Sequence, residues 1–134
     1  MTPEATNAAG AILVSKDELF ERADILTIHL VLSSRTRGLL GAAELERMKP
    51  TARLINASRG PIVDEQALIS ALKKRQIAGA AVDVFDAEPL PASHPFRTLD
   101  NVLATPHIGY VSRGLYKTFY QDTVSNIRMW LDSR

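Results

Sequence analysis

Residues 52–85 read ARLINASRGPIVDEQALISALKKRQIAGAAVDVF and predict a strand, a helix and a second strand in succession. The strand segments, 52–58 and 80–85, are short and largely apolar, a pattern typical of strands that are buried on both faces of a sheet. Between them, Asp64 is the predicted N-cap of a helix with one apolar face. Two strands joined by a helix in this way are expected to lie parallel in one sheet.

The same alternation of strands and helices continues on both sides of this unit. Additional strands are predicted at residues 11–14, 24–32 and 102–105, and additional helices at 16–22, 42–48 and 112–131. The fold class that follows is α/β, a partial Rossmann-like, doubly wound and mostly parallel sheet with flanking helices and a long C-terminal helix. The 134 residues are expected to form a single domain, residues 1–134, around one core.

Composition argues against several classes of protein. The 16 basic and 15 acidic residues are interspersed and leave a net charge of +1, so no basic surface for nucleic acid or an anionic membrane is expected. The chain has no cysteine, which rules out disulfides and thiolate catalysis. No metal site is predicted, because histidines 29, 94 and 107 lack the close helical spacing of a metal-binding pair. The N-terminal residues show no signal-peptide pattern, and a cytoplasmic location is expected.

Three polar residues with catalytic potential follow successive predicted strands. They are Arg59, Glu88 and His107, and in a parallel sheet such positions lie at one edge, where ligands bind. Taken singly, each has a plainer interpretation, as an exposed arginine, a solvated surface acid or a structural histidine. Together they supply an arginine that can hold a carboxylate and an acid-paired histidine that can exchange a proton. Such a set suits the interconversion of a 2-hydroxy acid and a 2-oxo acid, with hydride passing to or from a cofactor.

Asp83 is an acid inside the apolar segment AAVDVF. Because an unpaired buried carboxylate is costly, it is expected to have a partner or to lie at the rim of the sheet. On the residues alone, a binding role and a structural role, such as capping a backbone amide, are equally open.

Several long motifs resemble the D-isomer-specific 2-hydroxyacid dehydrogenase family, which includes phosphoglycerate dehydrogenases. They are LINASRGPIVDEQALISALKKRQIAGAAVDVFDAEPLPASHPF (54–96), NVLATPHIGY (101–110) and the upstream ADILTIHLVLSSRTRGLLGAAELERMKP (23–50). The resemblance covers roughly Ala11 to Trp130. It implies an oxidoreductase that transfers hydride between a nicotinamide cofactor and a small 2-hydroxy or 2-oxo acid.

The resemblance also implies roles for individual residues. Arg59 matches the arginine that binds the substrate carboxylate or carbonyl, Glu88 matches the glutamate that pairs with the histidine, and His107 matches the proton donor for 2-oxo acid reduction. Asp83 matches the aspartate that hydrogen-bonds the nicotinamide carboxamide. The other implied cofactor contacts are Leu30 on the adenosine side, Ala57, Ser58, His107 and Gly109 on the nicotinamide side, and Arg59.

The sequence departs from the family pattern in several places. Val31 stands where the family often has proline, and Tyr110 where a second glycine is common. The seven glycines include no G-x-G-x-x-G, the loop that binds the dinucleotide phosphates, and the family's separate substrate domain is also missing. The expectation is a truncated dinucleotide-binding domain that binds NAD weakly, with NADP not excluded.

An exposed strand edge follows from the same comparison with the family. There the strand matching 24–32 has a neighbour that this sequence lacks, and an apolar unpaired edge invites pairing with another chain. A homo-oligomer is therefore predicted, through this edge or by exchange of the last helix. Two functions stay open: a dehydrogenase domain, or a catalytically inactive fragment that serves as a folding or oligomerisation module.

Overall fold

The computed structural model describes residues 2–134, in which four parallel strands form one sheet. The strands are β1 (Ile25–Ile28), β2 (Arg53–Asn56), β3 (Gly79–Val82) and β4 (Val102–Ala104), and they lie side by side in that order. The helices are α1 (Pro3–Ala8), α2 (Lys16–Arg22), α3 (Ala42–Arg47), α4 (Glu65–Lys73) and α5 (Arg113–Asp132), with 3-10 turns at Gly60–Ile62 and Pro95–Arg97. The predicted α/β class, with a parallel sheet, flanking helices and a long C-terminal helix, is confirmed.

A layer of three helices covers one face of the sheet. In this layer α3 contacts both α2 and α4. Leu68 and Leu72 on α4 belong to the same buried cluster as Leu26 on β1 and Leu54 on β2. This face of the sheet therefore holds the core. Burial of each aliphatic side chain of this size contributes about 1.5–3 kcal/mol to the stability of the fold. The predicted N-cap of α4 is confirmed, because the Asp64 carboxylate accepts a hydrogen bond from the Ala67 amide at 2.9 Å.

The opposite face of the sheet is open within residues 2–134. Alternate residues of a strand point to opposite faces, and the register places Thr27, Ile55, Ala81 and Leu103 in one row on the open side. Leu103 is 66% exposed, and Ile25 is 63% exposed. None of the residues of α5 is buried, so its apolar stripe does not cover this face. No helix in the described part of the chain has the length and apolar character needed to cross a lipid bilayer.

The prediction of a strand at residues 11–14 is wrong. The segment has no regular secondary structure, and Ile12 is 74% exposed. A short apolar run becomes a strand only beside a partner, and no neighbouring strand pairs with this one in residues 2–134. The sequence analysis also missed α1, although Thr2 caps it and Pro3 occupies its first position, which are ordinary signals for a helix start.

All four strands end earlier than predicted, β2 at Asn56 instead of position 58 and β4 at Ala104 instead of position 105. β1 ends at Ile28 instead of position 32, and β3 ends at Val82 instead of position 85. Val84 and Phe85 are still buried, so apolar character continues after the hydrogen-bonded strand has ended. Asp83 therefore lies just beyond β3, at the rim of the sheet.

Leu54 and Leu103 provide a matched test of this one-sided packing. Leu54→Ala removes a fully buried side chain and is expected to lower the free energy of unfolding by about 2–5 kcal/mol. Leu103→Ala is expected to cost less than about 1 kcal/mol, because that side chain is already mostly exposed. Urea denaturation followed by circular dichroism measures both values. Equal losses for the two substitutions would contradict the assignment of the covered face.

Candidate active site

The carboxyl ends of the four strands meet at one edge of the sheet. The register aligns Ile28, Asn56, Val82 and Ala104 across this edge. The residues predicted from the sequence lie in the loops that follow: Leu30 after β1, Ala57, Ser58 and Arg59 after β2, Asp83 and Glu88 after β3, and His107 and Gly109 after β4. The parallel sheet thus brings the predicted residues into four adjacent loops.

His107 and Glu88 form a direct hydrogen-bonded pair. Nδ1 of His107 lies 2.7 Å from Oε2 of Glu88. Because an ionised carboxylate only accepts hydrogen bonds, this contact places a hydrogen on Nδ1 and leaves Nε2 to exchange a proton. The second carboxylate oxygen, Oε1, accepts a hydrogen bond from the Phe85 amide at 2.9 Å. Both oxygens of Glu88 are therefore engaged, and the histidine ring is held in one orientation.

The charge of Glu88 follows from these contacts. The hydrogen bond from His107 lowers the pKa of Glu88 below its usual 4.5, and the Phe85 amide and the positive charge of Arg59 act in the same direction. Partial burial opposes them but is outweighed. Glu88 is thus ionised at neutral pH, and its charge stabilises the imidazolium that forms when the His107 ring takes up a second proton.

The turn that presents His107 is held by Asp83. His107 has a backbone φ of 55°, a left-handed conformation that is uncommon for residues other than glycine. The amides of Ile108 and Gly109, which follow it, donate to the Asp83 carboxylate at 2.9 and 2.8 Å. A Cβ atom at position 109 would lie 2.9 Å from Oδ2 of Asp83, so glycine permits this approach. Such a backbone conformation persists where its surroundings impose it, and these hydrogen bonds do so here.

Asp83 itself is 7% exposed and has a well-defined set of partners. Besides the two amides, the Thr105 hydroxyl donates to Oδ1 at 2.5 Å. Burial raises the pKa of Asp83, but these hydrogen bonds and the nearby His107 outweigh it and hold the pKa below the usual 3.8. The expectation that this carboxylate has partners is confirmed, and the partners are those of a structural role. Oδ2 accepts only the Gly109 amide among residues 2–134, so it retains a lone pair for a ligand.

Asn56 builds the turn that presents Arg59. Its side chain is buried at the end of β2, where Oδ1 accepts from the Ser58 amide at 3.1 Å and Nδ2 donates to the Arg59 carbonyl at 3.0 Å. The sequence analysis did not select Asn56. A buried amide at the end of an apolar strand is the signal that was available.

A backbone contact joins the Arg59 loop to the Glu88 loop. A Cβ atom at Gly60 would lie 2.2 Å from the carbonyl carbon of Phe85. Only glycine therefore allows these two backbone segments to approach so closely. Arg59 donates from Nη1 to the Ser58 carbonyl at 2.6 Å and forms no ion pair with an acid in residues 2–134. Most of the hydrogen-bond donors of its guanidinium group are therefore available to bind an anionic ligand.

A shallow groove on the open face of the sheet lies beside three of the predicted residues, Ala57, Asp83 and Gly109. The Ser58 hydroxyl donates to the Leu30 carbonyl and ties together the loops after β1 and β2. The groove has a volume of about 310 Å³, and its lining includes Ile55, Ala57, Ala81, Leu103, Asp83 and Gly109. An apolar floor with one carboxylate at its rim suits a flat aromatic amide, because the ring can lie on the floor while the amide NH₂ donates to the carboxylate.

A larger cavity borders the His107–Glu88 pair. Its volume is about 870 Å³, and besides the pair it is lined by apolar residues that include Leu90, Phe96 and Val102. The Tyr110 ring lies edge-on to the His107 ring, with their centroids 6.3 Å apart. No group of three or more His, Asp or Glu side chains suited to a metal ion occurs in the described residues.

The pH dependence of stability tests the His107–Glu88 contact. A carboxyl group whose pKa is lowered in the folded state stabilises the fold above its unfolded pKa, and this contribution is lost as the pH falls through the folded pKa. Glu88→Gln is therefore expected to flatten the fall in unfolding free energy below pH 4.5. Because the His107 hydrogen bond is the largest cause, adding Glu88→Gln to His107→Gln should change the slope much less. Equal effects of Glu88→Gln in both backgrounds would contradict the contact.

Comparisons with known proteins identify the family of this chain. Residues 1–109 match the family described as D-isomer specific 2-hydroxyacid dehydrogenase, NAD binding domain. A glyoxylate/hydroxypyruvate reductase B of Enterobacter agglomerans is 44% identical over 124 residues, which are 92% of this chain and 38% of that protein.

Solved structures show the same relationship. A phosphoglycerate oxidoreductase of Vibrio cholerae O395 superposes with a TM-score of 0.89 at 35% identity, over 98% of this chain and 42% of the other. A D-isomer specific 2-hydroxyacid dehydrogenase of Xanthobacter autotrophicus Py2, in complex with NADPH and MES, has a TM-score of 0.67 at 44% identity, over 69% and 30% of the two chains. The chain thus spans less than half the length of these proteins. It belongs to the D-isomer-specific 2-hydroxyacid dehydrogenases, and it matches their NAD-binding domain.

Proposed function

We propose that this chain supplies the proton-transfer pair and the nicotinamide-binding groove of a dehydrogenase that interconverts D-2-hydroxy acids and 2-oxo acids. The observation that supports this most directly is the 2.7 Å contact between Nδ1 of His107 and Oε2 of Glu88, within a chain of this family. NAD is the proposed cofactor. NADP is the alternative, because one solved relative binds NADPH.

Each polar residue has a distinct part in the proposed reaction. Arg59 would bind the substrate carboxylate through two parallel hydrogen bonds. His107, protonated on both nitrogens, would hold a proton at Nε2 and donate it to the carbonyl oxygen of the 2-oxo acid, and in the reverse direction Nε2 would take the hydroxyl proton. Glu88 stays on Nδ1 throughout, where it fixes the ring and stabilises its positive charge. The nicotinamide ring, when bound, supplies or accepts the hydride.

The groove on the open face is the proposed place for the nicotinamide ring. Asp83 would accept a hydrogen bond from the carboxamide through the lone pair that Oδ2 retains, and Ala57 and Gly109 line the groove beside it. Leu30 and Ser58, joined by their hydrogen bond, form the neighbouring wall on the adenosine side. The ordered turn around Asp83 also makes the position of His107 depend on the same carboxylate.

The substrate class is a small 2-oxo acid. The reductase relative is named for glyoxylate and hydroxypyruvate, which both carry a carboxylate beside a carbonyl. That pair of groups matches an arginine after β2 and a histidine after β4, at the same edge of the sheet. In this proposal the Tyr110 ring, whose centroid lies 6.3 Å from that of the His107 ring, would limit the space beside the substrate and favour short substrates.

An inactive folding or oligomerisation module is the second candidate. It is favoured by the lack of a G-x-G-x-x-G loop in residues 1–134. We propose that these residues form one domain. Backbone amides of such a loop supply much of the dinucleotide phosphate binding. On this basis the isolated chain is expected to bind NAD weakly and to have low activity or none.

His107→Ala separates the two candidates. The chain is mixed with NADH or NADPH and with glyoxylate or hydroxypyruvate, while fluorescence reports binding and absorbance reports oxidation of the dinucleotide. If the chain is an enzyme, His107→Ala lowers kcat/KM by about 10²–10⁴-fold, the usual contribution of general acid–base catalysis. His29→Ala, at an exposed histidine whose ring contacts Thr27, serves as the matched control and leaves the rate unchanged.

The other outcomes also decide the question. Turnover that His107→Ala does not affect would contradict the role of His107. If the chain does not bind NADH or NADPH even when the dinucleotide is present at a concentration on the order of millimolar, its affinity is very weak. That result would favour the inactive module for this chain.

Association of two or more copies is part of the proposal, as is a cytoplasmic location. β1 is an edge strand, and Tyr120, Val124 and Ile127 on α5 are at least half exposed. Pairing at the β1 edge or exchange of α5 would cover such surfaces.

Light scattering after size-exclusion chromatography is expected to give the mass of two or more chains. Ile127→Glu should lower it if α5 is exchanged, with Lys117→Glu as the control on the same helix. A stable monomer at all concentrations would contradict the proposal.

A further inference from the structure

A second histidine–glutamate pair lies outside the residues assigned above. Nε2 of His94 is 3.0 Å from Oε1 of Glu65, the first residue of α4. The side chains of His94 and Glu65 are 12% and 15% exposed, compared with 38% and 36% for His107 and Glu88. The better-buried pair is therefore the one to which no role has been assigned.

The contacts of His94 define its protonation. Nδ1 accepts a hydrogen bond from the Phe96 amide at 3.2 Å, so the hydrogen of the neutral ring is on Nε2, where it is donated to Glu65. The His94 and Phe96 rings also pack together, with centroids 4.9 Å apart. His94 thus links the 3-10 turn Pro95–Arg97 to the start of α4.

The other oxygen of Glu65 reaches the loop that carries Glu88. Oε2 of Glu65 accepts a hydrogen bond from the Asp86 amide at 3.3 Å. Asp86 directly follows Phe85, whose amide donates to Glu88. The partly buried Glu65 carboxylate is therefore bonded to both ends of the segment 86–94, and Glu88 lies within that segment.

A third contact closes the same segment. Arg97 donates from Nε to the Pro91 carbonyl at 2.9 Å and from Nη2 to the Leu90 carbonyl at 2.7 Å. These bonds leave the middle of the segment little freedom, although it contains no helix or strand. Glu88 reaches His107 from a loop, so the precision of that contact depends on what holds the loop.

We propose that His94 and Glu65 are positioning residues that hold the segment 86–94 so that Glu88 meets His107. Neither residue contacts Glu88 or His107 directly, and both act through the backbone of the segment. The catalytic importance of this arrangement rests on the proposed function. The arrangement itself is measurable in the chain without any turnover.

Two substitutions of His94 separate its contacts. His94→Asn places an oxygen near the position of Nδ1, so it keeps the contact with the Phe96 amide but is too short to reach Glu65. His94→Gln places its amide nitrogen near the position of Nε2, so it keeps the contact with Glu65 and loses the one with Phe96. The two readouts are the pKa of Glu88, from carbon-13 NMR of its carboxyl group, and the hydrogen-exchange rate of the Phe85 amide.

If the pair positions the loop, His94→Asn raises the pKa of Glu88 towards its usual value, because the hydrogen bonds that lower it are weakened. Phe85 amide exchange becomes at least about fivefold faster, the factor that corresponds to one hydrogen bond of about 1 kcal/mol. His94→Gln leaves both readouts close to those of the parent chain. Glu65→Gln has the same shape, but its amide nitrogen cannot accept a hydrogen bond, so one of the two contacts with Asp86 and His94 is lost. Both readouts are therefore expected to change in the same direction as in His94→Asn.

Asp100→Asn is the matched control. It removes an exposed ion pair with Arg75, 2.7 Å long, at the opposite end of the sheet, and leaves Glu88 and Phe85 unchanged. Unchanged readouts in folded His94→Asn and Glu65→Gln would overturn the proposal. Equal changes in His94→Asn and His94→Gln would also overturn it, since only Asn loses the Glu65 contact, and the effect would then come from loss of the imidazole ring instead of that contact. Neither readout requires enzymatic activity. The positioning role of His94 and Glu65 can therefore fail while the proposed function stands, and the proposed function can fail while the positioning role stands.

Discussion

The parallel alignment of four strands is the constraint on which the site depends. Because β1 to β4 all run in the same direction and lie in sequence order, each strand delivers its following loop to the same edge. Arg59, Glu88 and His107 are up to 48 positions apart in the chain, and the sheet brings the loops that carry them to this edge. A shift of one residue in any register would turn the buried side of that strand to the open face and displace its loop. The core on the helix-covered side thus indirectly fixes the relative positions of these loops.

Close backbone approaches and buried polar contacts then refine what the sheet sets up. Gly60 lets the Arg59 loop pack directly on the backbone of Phe85, and Gly109 lets a backbone amide reach Asp83. Asp83 is at once a structural acceptor for the turn that carries His107 and the proposed acceptor for the cofactor. Binding of a ligand amide at this carboxylate would therefore bear on the orientation of His107, the proposed proton donor. This coupling is a direct consequence of one acid serving two sets of donors.

Local patterns predicted the elements well and their surroundings less well. The N-cap at Asp64, the helix at 16–22 and the alternation of strands and helices depend on neighbouring residues, and the sequence shows them directly. The segment 11–14 has the same apolar character as a strand, but strand formation also requires a partner, which local sequence does not encode. For α5 the pattern predicted the helix, while its packing depends on surfaces that no local pattern describes.

Long-range contacts account for the rest of the site. The trio of Arg59, Glu88 and His107 was found through motif resemblance, and the contact between two of its members is now visible in the geometry. The His94–Glu65 pair was missed because its two members lie 29 positions apart. The partners of Asn56 are the nearby Ser58 and Arg59, so only its burial distinguishes it from an ordinary polar residue at the end of a strand. Burial of a polar group is evident only once the chain is folded.

The tautomer of His107 tests the central claim most directly. A proton NMR experiment with long-range correlation to the ring nitrogens distinguishes a hydrogen on Nδ1 from one on Nε2 in the neutral ring. The account predicts that neutral His107 carries its hydrogen on Nδ1, donated to Glu88, and that Glu88→Gln reduces this preference. A neutral ring with its hydrogen mainly on Nε2 in the parent chain would show that the pair is not formed and would contradict the account.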